Sequence, residues 1–176
     1  MAKYITSETI YLLLYSGGVD STLSLAKLID NNIIPYIFHF KTKKLTNKHE
    51  KQIKRNAQKL SPQSPYYVFE TETYNFEFGM YPNGKCFVVI NNDEEFLPFD
   101  ICDCLVTGHW RRDNDDEILK WICDFATYSK QLILPLKDYT YKQIMREFYL
   151  LPLDIKKNVV ASTRVNGITD YVCAVI

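Results

Sequence analysis

An apolar run, Leu12-Leu13-Leu14-Tyr15, passes without a spacer into Ser16-Gly17-Gly18-Val19-Asp20-Ser21-Thr22. No other stretch constrains the fold as much. The run reads as a buried strand, and Val19, Leu23, Ala26 and Ile29 then recur at three- and four-residue spacing, the period of an amphipathic helix. A strand that turns through two glycines straight into a helix makes an anion site. The first amides of a helix have no intrahelical partner, and the positive end of its dipole faces the turn. Gly17 and Gly18 lack the Cβ atoms that would keep a phosphate from the backbone. Ser16, Ser21 and Thr22 offer hydroxyls around the same point, and Asp20 offers a carboxylate suited to magnesium. Phosphate is the natural ligand.

The spacing is not that of a Walker A loop, which needs four residues between its glycines and then Lys-Ser/Thr. Ser16-Gly17-Gly18-Val19-Asp20-Ser21 after a hydrophobic strand instead resembles the pyrophosphate loop of the N-type ATP pyrophosphatases. That superfamily includes tRNA-thiolating and lysidine-forming enzymes, asparagine and argininosuccinate synthetases, and 7-cyano-7-deazaguanine synthases. A serine–glycine turn opening an ordinary helix is the alternative; the strand before and the helix after favour the pyrophosphate loop.

The rest of the chain supplies the setting. Its 176 residues suit a single domain over 1–176 with one sizeable core. Strands are expected at Ile10 to Tyr15, Ile33 to Phe40 and Tyr66 to Phe69, with helices at Val19 to Asp30 and Thr46 to Leu60 between them. That β-α-β-α-β rhythm argues for an open parallel sheet of about five strands with helices on both faces. Residues 71–100 interrupt it with a hairpin or long loop around Tyr81-Pro82-Asn83-Gly84-Lys85 and a short helical piece near Asp93 to Phe99. It resumes with a strand at Asp103 to Thr107, a helix capped by Asn114 or Asp115 running through Ala126, and a strand at Gln131 to Leu134. A helix at Thr140 to Leu151 follows, its start matching a capping box. Val159-Val160-Ala161 and Tyr171 to Ile176 are extended candidates in the tail.

Other segments add to the resemblance. Val106-Thr107-Gly108-His109 through Asp115-Asp116 resembles the Gly-His and downstream Asp-Asp element of several pyrophosphate-loop enzymes, just past a central strand. Gly108 would let a ribose approach, and His109 could meet phosphate-bound magnesium. A polar loop whose acids cap the next helix is the alternative. Leu134-Pro135-Leu136 through Ile144 looks like the segment before the final helix of the deazaguanine synthase branch, with Lys142 on the first turn after the cap. Lys142 could neutralise phosphate charge in the transition state, or be an ordinary exposed lysine. His39 to Lys44 lies where such folds often seat the base or ribose, so backbone groups of Phe38 and Phe40 could read the adenine edge. Eight basic residues fall between 41 and 59 against one acid, Glu50. A helix of that kind could hold tRNA, and a solvated face is the commoner explanation.

Two signals are set aside. Gly79 to Cys86 has Walker A glycine and lysine spacing, but Cys86 stands where Ser or Thr must ligate magnesium, and Phe87-Val88-Val89-Ile90 reads as strand. Zinc is not expected, because the tail supplies only Cys173 where deazaguanine synthases carry a cysteine cluster.

The resemblance therefore implies an adenine nucleotide alpha hydrolase-like, Rossmann-like fold that binds ATP and Mg2+. Ser16, Gly17, Gly18, Asp20, Ser21 and Thr22 would hold the pyrophosphate, with Asp20 on magnesium and Lys142 assisting. An acceptor oxygen would attack the α-phosphorus, pyrophosphate would leave, and a second nucleophile would displace AMP. The acceptor is not legible. A nucleotide-binding partner or sensor without catalysis is one alternative, and a tRNA-modifying enzyme is another. Charges balance at 21 basic and 21 acidic, so no global field announces a partner. Met1-Ala2-Lys3-Tyr4 lacks the pattern of a signal peptide, no apolar stretch is long enough for a bilayer, and five cysteines without framework spacing fit reduced thiols. A cytoplasmic protein with no membrane association is expected, and a homo-oligomer is compatible with the sequence.

Overall fold

The computed structural model describes residues 9–41, 45–70, 76–80, 86–90, 103–108, 131–165 and 168–173. In chain order its elements are β1 (Tyr11–Leu14), α1 (Val19–Asp30), β2 (Tyr36–Lys41), α2 (Asn47–Leu60), β3 (Tyr66–Glu70), β4 (Phe76–Met80) and β5 (Cys86–Ile90). There follow β6 (Cys104–Val106), β7 (Gln131–Ile133), α3 (Tyr141–Leu150), α4 (Leu153–Lys156), β8 (Val160–Val165) and β9 (Ile168–Cys173). Five strands form one sheet in the order β3-β2-β1-β6-β7, and every pair in it is parallel. The chain steps outward from β1 through β2 to β3, then returns to the other side of β1. Strand order thus reverses between β1 and β6, and a crevice at such a point lies beyond the carboxyl ends of the strands.

The apolar run of β1 is continuous because both faces of the strand are covered. Leu13 points to the side of Ile37 and Val106, where α1 adds Leu25 and Leu28 and α2 adds Ile53 and Ala57. Leu12 points the other way, with Phe38 and Leu105, and all three are fully buried. The described helices gather on the first side. The helix expected from Asn114 or Asp115 through Ala126, and the short one near Asp93 to Phe99, lie outside the described residues.

Helix α1 has the expected bounds but not a single apolar face. Leu25 and Leu28 meet the sheet, while Val19 and Leu23 meet Leu136, Ile144, Phe148 and Val159 from α3 and its flanks. Sandwiched in this way, α1 also buries Ser21, Thr22 and Ser24. Helix α3 begins with the anticipated capping box, Thr140 and Gln143 bonding reciprocally. Strand β2 starts later than the apolar run suggests and continues to Lys41, so His39 and Phe40 are strand residues. The interruption contains the antiparallel pair β4–β5, with Met80 opposite Cys86; since Cys86 opens a strand, no helix follows the Walker-like glycines. The tail forms a second antiparallel pair, β8–β9. Among the described residues no helix is long and apolar enough to cross a membrane.

Two tyrosines under the helices are set by their surroundings. Burial pushes the Tyr15 phenol up to about 12, and its bond to Thr22 pulls it back slightly. Tyr66 is pushed higher still, first by burial and then by the charges of Glu50 and Tyr15. Its enclosed hydroxyl has no hydrogen-bond partner among the described residues. Both phenols stay protonated in the fold where the unfolded chain ionises. Stability from them is therefore intact below about pH 10 and falls as pH climbs through the folded-state values. Tyr66→Phe removes a buried hydroxyl with no partner, so it should keep or raise stability at neutral pH by up to about 1–2 kcal/mol and flatten the alkaline decline. Denaturant titrations at neutral and alkaline pH check this; a clear loss at neutral pH would show that the hydroxyl is bonded.

Candidate functional site

The chain leaves β1 with the Tyr15 amide donating to the Phe38 carbonyl at 2.7 Å, then turns sharply at Gly17. Gly17 has a φ of +81°, in the left-handed region that side chains disfavour. A Cβ there would also lie 2.4 Å from Cγ1 of Ile53 on α2. Its carbonyl accepts the Val160 amide at 2.9 Å, which fixes the start of β8 beside the turn.

Inside the turn the hydroxyls bond to the loop itself. Ser21 Oγ accepts the Gly17 amide at 3.1 Å and lies 3.0 Å from Ser16 Oγ and 3.3 Å from the Gly18 carbonyl. Ser16 Oγ accepts the Gly18 amide at 3.3 Å. Thr22 is fully buried against Tyr15 OH, 3.3 Å away. Of the three hydroxyls, Ser16 alone is exposed. Ser21 and Thr22 shape the turn from behind.

Gly18 is the N-cap of α1, at φ −77° and ψ 179°, extended backbone that any residue adopts. A Cβ there would meet nothing nearer than 3.4 Å, so packing does not require the glycine either. Ser, Thr, Asp or Asn would cap the helix better, and Gly18 gives no side-chain cap. What the glycine does is leave room in front of the first turn of a twelve-residue helix. Asp20 stands in that first turn, partly buried. It is the carboxylate at the loop able to hold Mg2+, which commonly takes one or two carboxylates with phosphate oxygens supplying the rest. No group of three or more His, Cys, Asp or Glu side chains stands together among the described residues.

From the β6 side, Gly108 closes on the same turn. A Cβ on Gly108 would come within 3.0 Å of the Asp20 carbonyl carbon and the Ser21 nitrogen. Gly108 therefore lies at the helix start, as the sequence suggests, and its bare backbone already serves the approach of α1. His109 lies outside the described residues. Phe38 sits mid-strand between Leu14 and Tyr67, its carbonyl taken by Tyr15 and its ring in the core. Phe40 pairs with Phe69 in the same strands. Lys142 is exposed on the first turn of α3, and no hydrogen bond or ion pair among the described residues ties it to the loop.

The sequence reading passed over a polar pair behind the turn. His39 is 1% exposed, on the same face of β2 as Ile37. Its Nδ1 lies 2.9 Å from the Tyr15 carbonyl and its Nε2 lies 3.0 Å from Glu50 Oε1 on α2. A carbonyl can only accept, so Nδ1 donates to Tyr15, which leaves Nε2 facing the Glu50 carboxylate. The pair holds the carbonyl just before Ser16. Two signals could have found it: a titratable residue in an apolar strand needs a partner, and Glu50 is the lone acid between 41 and 59.

No family model matches the sequence, and no curated relative does. Among solved structures the chain is similar to one described as a predicted subunit of tRNA methyltransferase from Methanocaldococcus jannaschii. The identity is 16%, over 79% of this chain and 73% of that one, with a TM-score of 0.45. That likeness is too loose to bear on function.

His39→Phe should leave the part-buried Glu50 carboxylate without this partner and cost about 1–3 kcal/mol. Combined with Glu50→Gln, the total should be smaller than the sum of the single changes, because the stranded charge is gone. A double-mutant cycle by denaturant unfolding measures this; strictly additive losses would mean that the two side chains do not act as a pair.

Proposed function

We propose that the Ser16–Thr22 turn binds the phosphates of ATP and that the protein adenylates an acceptor with release of pyrophosphate. The observation that carries this reading is Gly18. It is a glycine that neither backbone conformation nor packing demands, placed where it opens a helix N-terminus toward a topological switch point. The resemblance to the pyrophosphate loop supplies the chemistry.

The residues divide the work as follows. Gly18 and the first turn of α1 present amide donors and the positive end of the helix dipole to the phosphates. Ser16, exposed at the rim, adds a hydroxyl. Asp20 would hold magnesium, which supplies charge neutralisation on the phosphates. An oxygen of the acceptor attacks the α-phosphorus, and the bond from that phosphorus to its bridging oxygen breaks. The electron pair leaves with pyrophosphate, whose growing charge the oriented donors stabilise. A second nucleophile then displaces AMP from the acyl or imidoyl carbon. Lys142 enters only through the resemblance, as a charge-neutralising group, and a 7-cyano-7-deazaguanine synthase-like acceptor stands on the same footing.

The two loop glycines separate folding from binding. Gly17→Ala should cost about 2–4 kcal/mol, from its left-handed φ and the overlap with Ile53. Gly18→Ala should leave stability within about 1 kcal/mol of the starting protein, or raise it, yet lower ATP affinity at least about tenfold by crowding the phosphates. Calorimetry with ATP and Mg2+, with assays for pyrophosphate and AMP across candidate acids, tests the reading. Equal ATP binding by the Gly18→Ala protein would overturn the site. Tight ATP binding without turnover under any condition would make the protein a nucleotide-binding module rather than an enzyme.

A further inference from the structure

Helix α2 divides its charges by face. Glu50 turns to His39, and Ile53, Asn56 and Ala57 are buried. Lys48, Lys51, Lys54, Arg55 and Lys59 are all exposed. Lys59 pairs with Asp154 of α4; the other four make no ion pair among the described residues. At 100° per residue, Lys48, Arg55 and Lys59 lie within about 20° of one line along the helix, with Lys51 and Lys54 to one side. The line runs about 16 Å from the first turn to the last. In a chain of zero net charge this is a local concentration of positive potential, offset among the described residues only at its Lys59 end, where Asp154 pairs with that lysine.

The geometry points to RNA as the partner of this face. A row of cations at this spacing matches a phosphate backbone, whose neutralisation releases counterions. An anionic membrane is less suited, since the exposed side chains among the cations are Asn47 and Gln58, with no apolar residue to insert. Duplex DNA is less suited too. One face of α2 is packed against the core through Ile53, Asn56 and Ala57, so the helix cannot enter a major groove, and the B-form minor groove is narrower than a helix. The wide, shallow minor groove and flanking phosphates of A-form RNA accept a flat basic ridge.

The position of α2 gives the docking a consequence. Its first turn follows β2 at the carboxyl rim of the sheet, and Ile53 touches the Gly17 turn. Ile53 lies on the opposite side of α2 from the ridge, so RNA on the ridge would reach the phosphate-binding turn past Lys48, over the carboxyl rim of the sheet. On the ATP reading above, on which this last step rests, the acceptor is an atom carried by RNA.

The test is anisotropy of labelled, unfractionated tRNA with the full chain, without ATP. Binding should weaken with salt at a log–log slope of about −3, as expected for four phosphate contacts. Lys48→Glu/Lys51→Glu/Arg55→Glu should lose at least about tenfold at low salt and flatten the slope by about 2–3, with ATP binding and Tm unchanged. If the reversed charges impair folding, the corresponding triple change to Gln gives the same readout with smaller amplitude. Undiminished tRNA binding by a folded variant overturns the docking. So does tighter binding to phosphatidylserine vesicles, polyglutamate or duplex DNA than to tRNA under the same conditions. The two readings fail separately: pyrophosphate release with a small acid and no tRNA affinity removes the docking alone, and tRNA affinity without ATP binding removes the loop reading alone.

Discussion

Gly17 has no side chain, and Ile53 occupies the room one would need. That contact lets α2 sit directly over the turn. With Ile53 seated, Glu50 lies about one helical turn earlier and reaches His39, which in turn holds the carbonyl of Tyr15. The Gly17 carbonyl then receives Val160, so β8 begins at the same point. A left-handed residue at the end of β1 therefore fixes the relation of the central strand, the second helix and the tail. Asn56, farther along α2, donates to the Ile155 carbonyl and ties that helix to the tail a second time.

The three glycines around α1 answer to different constraints, and the difference is informative. Gly17 is demanded by its φ and by Ile53. Gly108 is favoured by the backbone of Asp20 and Ser21, which would lie only 3.0 Å from a Cβ there. Neither needs a ligand to explain it. Gly18 has ordinary extended backbone and space around it, in a position where helices favour a capping side chain. The functional inference belongs to Gly18 rather than to glycine content as such.

The sheet was legible in the sequence because parallel strands covered on both faces must be apolar throughout, and β1 and β2 stand out for that reason; β3 is as apolar, though it lies at the edge with Tyr67 and Val68 exposed. The bounds of α1 and the capping box of α3 were legible from local chemistry. The double burial of α1 was not: Ser21, Thr22 and Ser24 read as polar, yet two of these short hydroxyls bond locally and all three pass into the interior. For the site, sequence placed the turn and Gly108 together but assigned all its hydroxyls to phosphate. Which hydroxyl faces outward depends on the turn's internal hydrogen bonds, and those appear only once Gly17 has set the direction of the chain. His39 escaped notice because its partner Glu50 lies eleven residues away on another element.

These internal bonds also bear on how the turn can meet an anion. The Gly18 amide is not left bare, since Ser16 Oγ accepts it at 3.3 Å, and the Gly17 amide is held by buried Ser21. The two acceptors differ in freedom. Ser21 is locked among three partners and cannot leave without stranding a buried amide. Ser16 is exposed, so its hydroxyl can rotate into water at the expense of a long neutral hydrogen bond, about 0.5–1.5 kcal/mol. A phosphate oxygen taking its place would form a charge-assisted bond roughly twice as strong. The turn is thus rigid where its shape is set and exchangeable at the Gly18 amide.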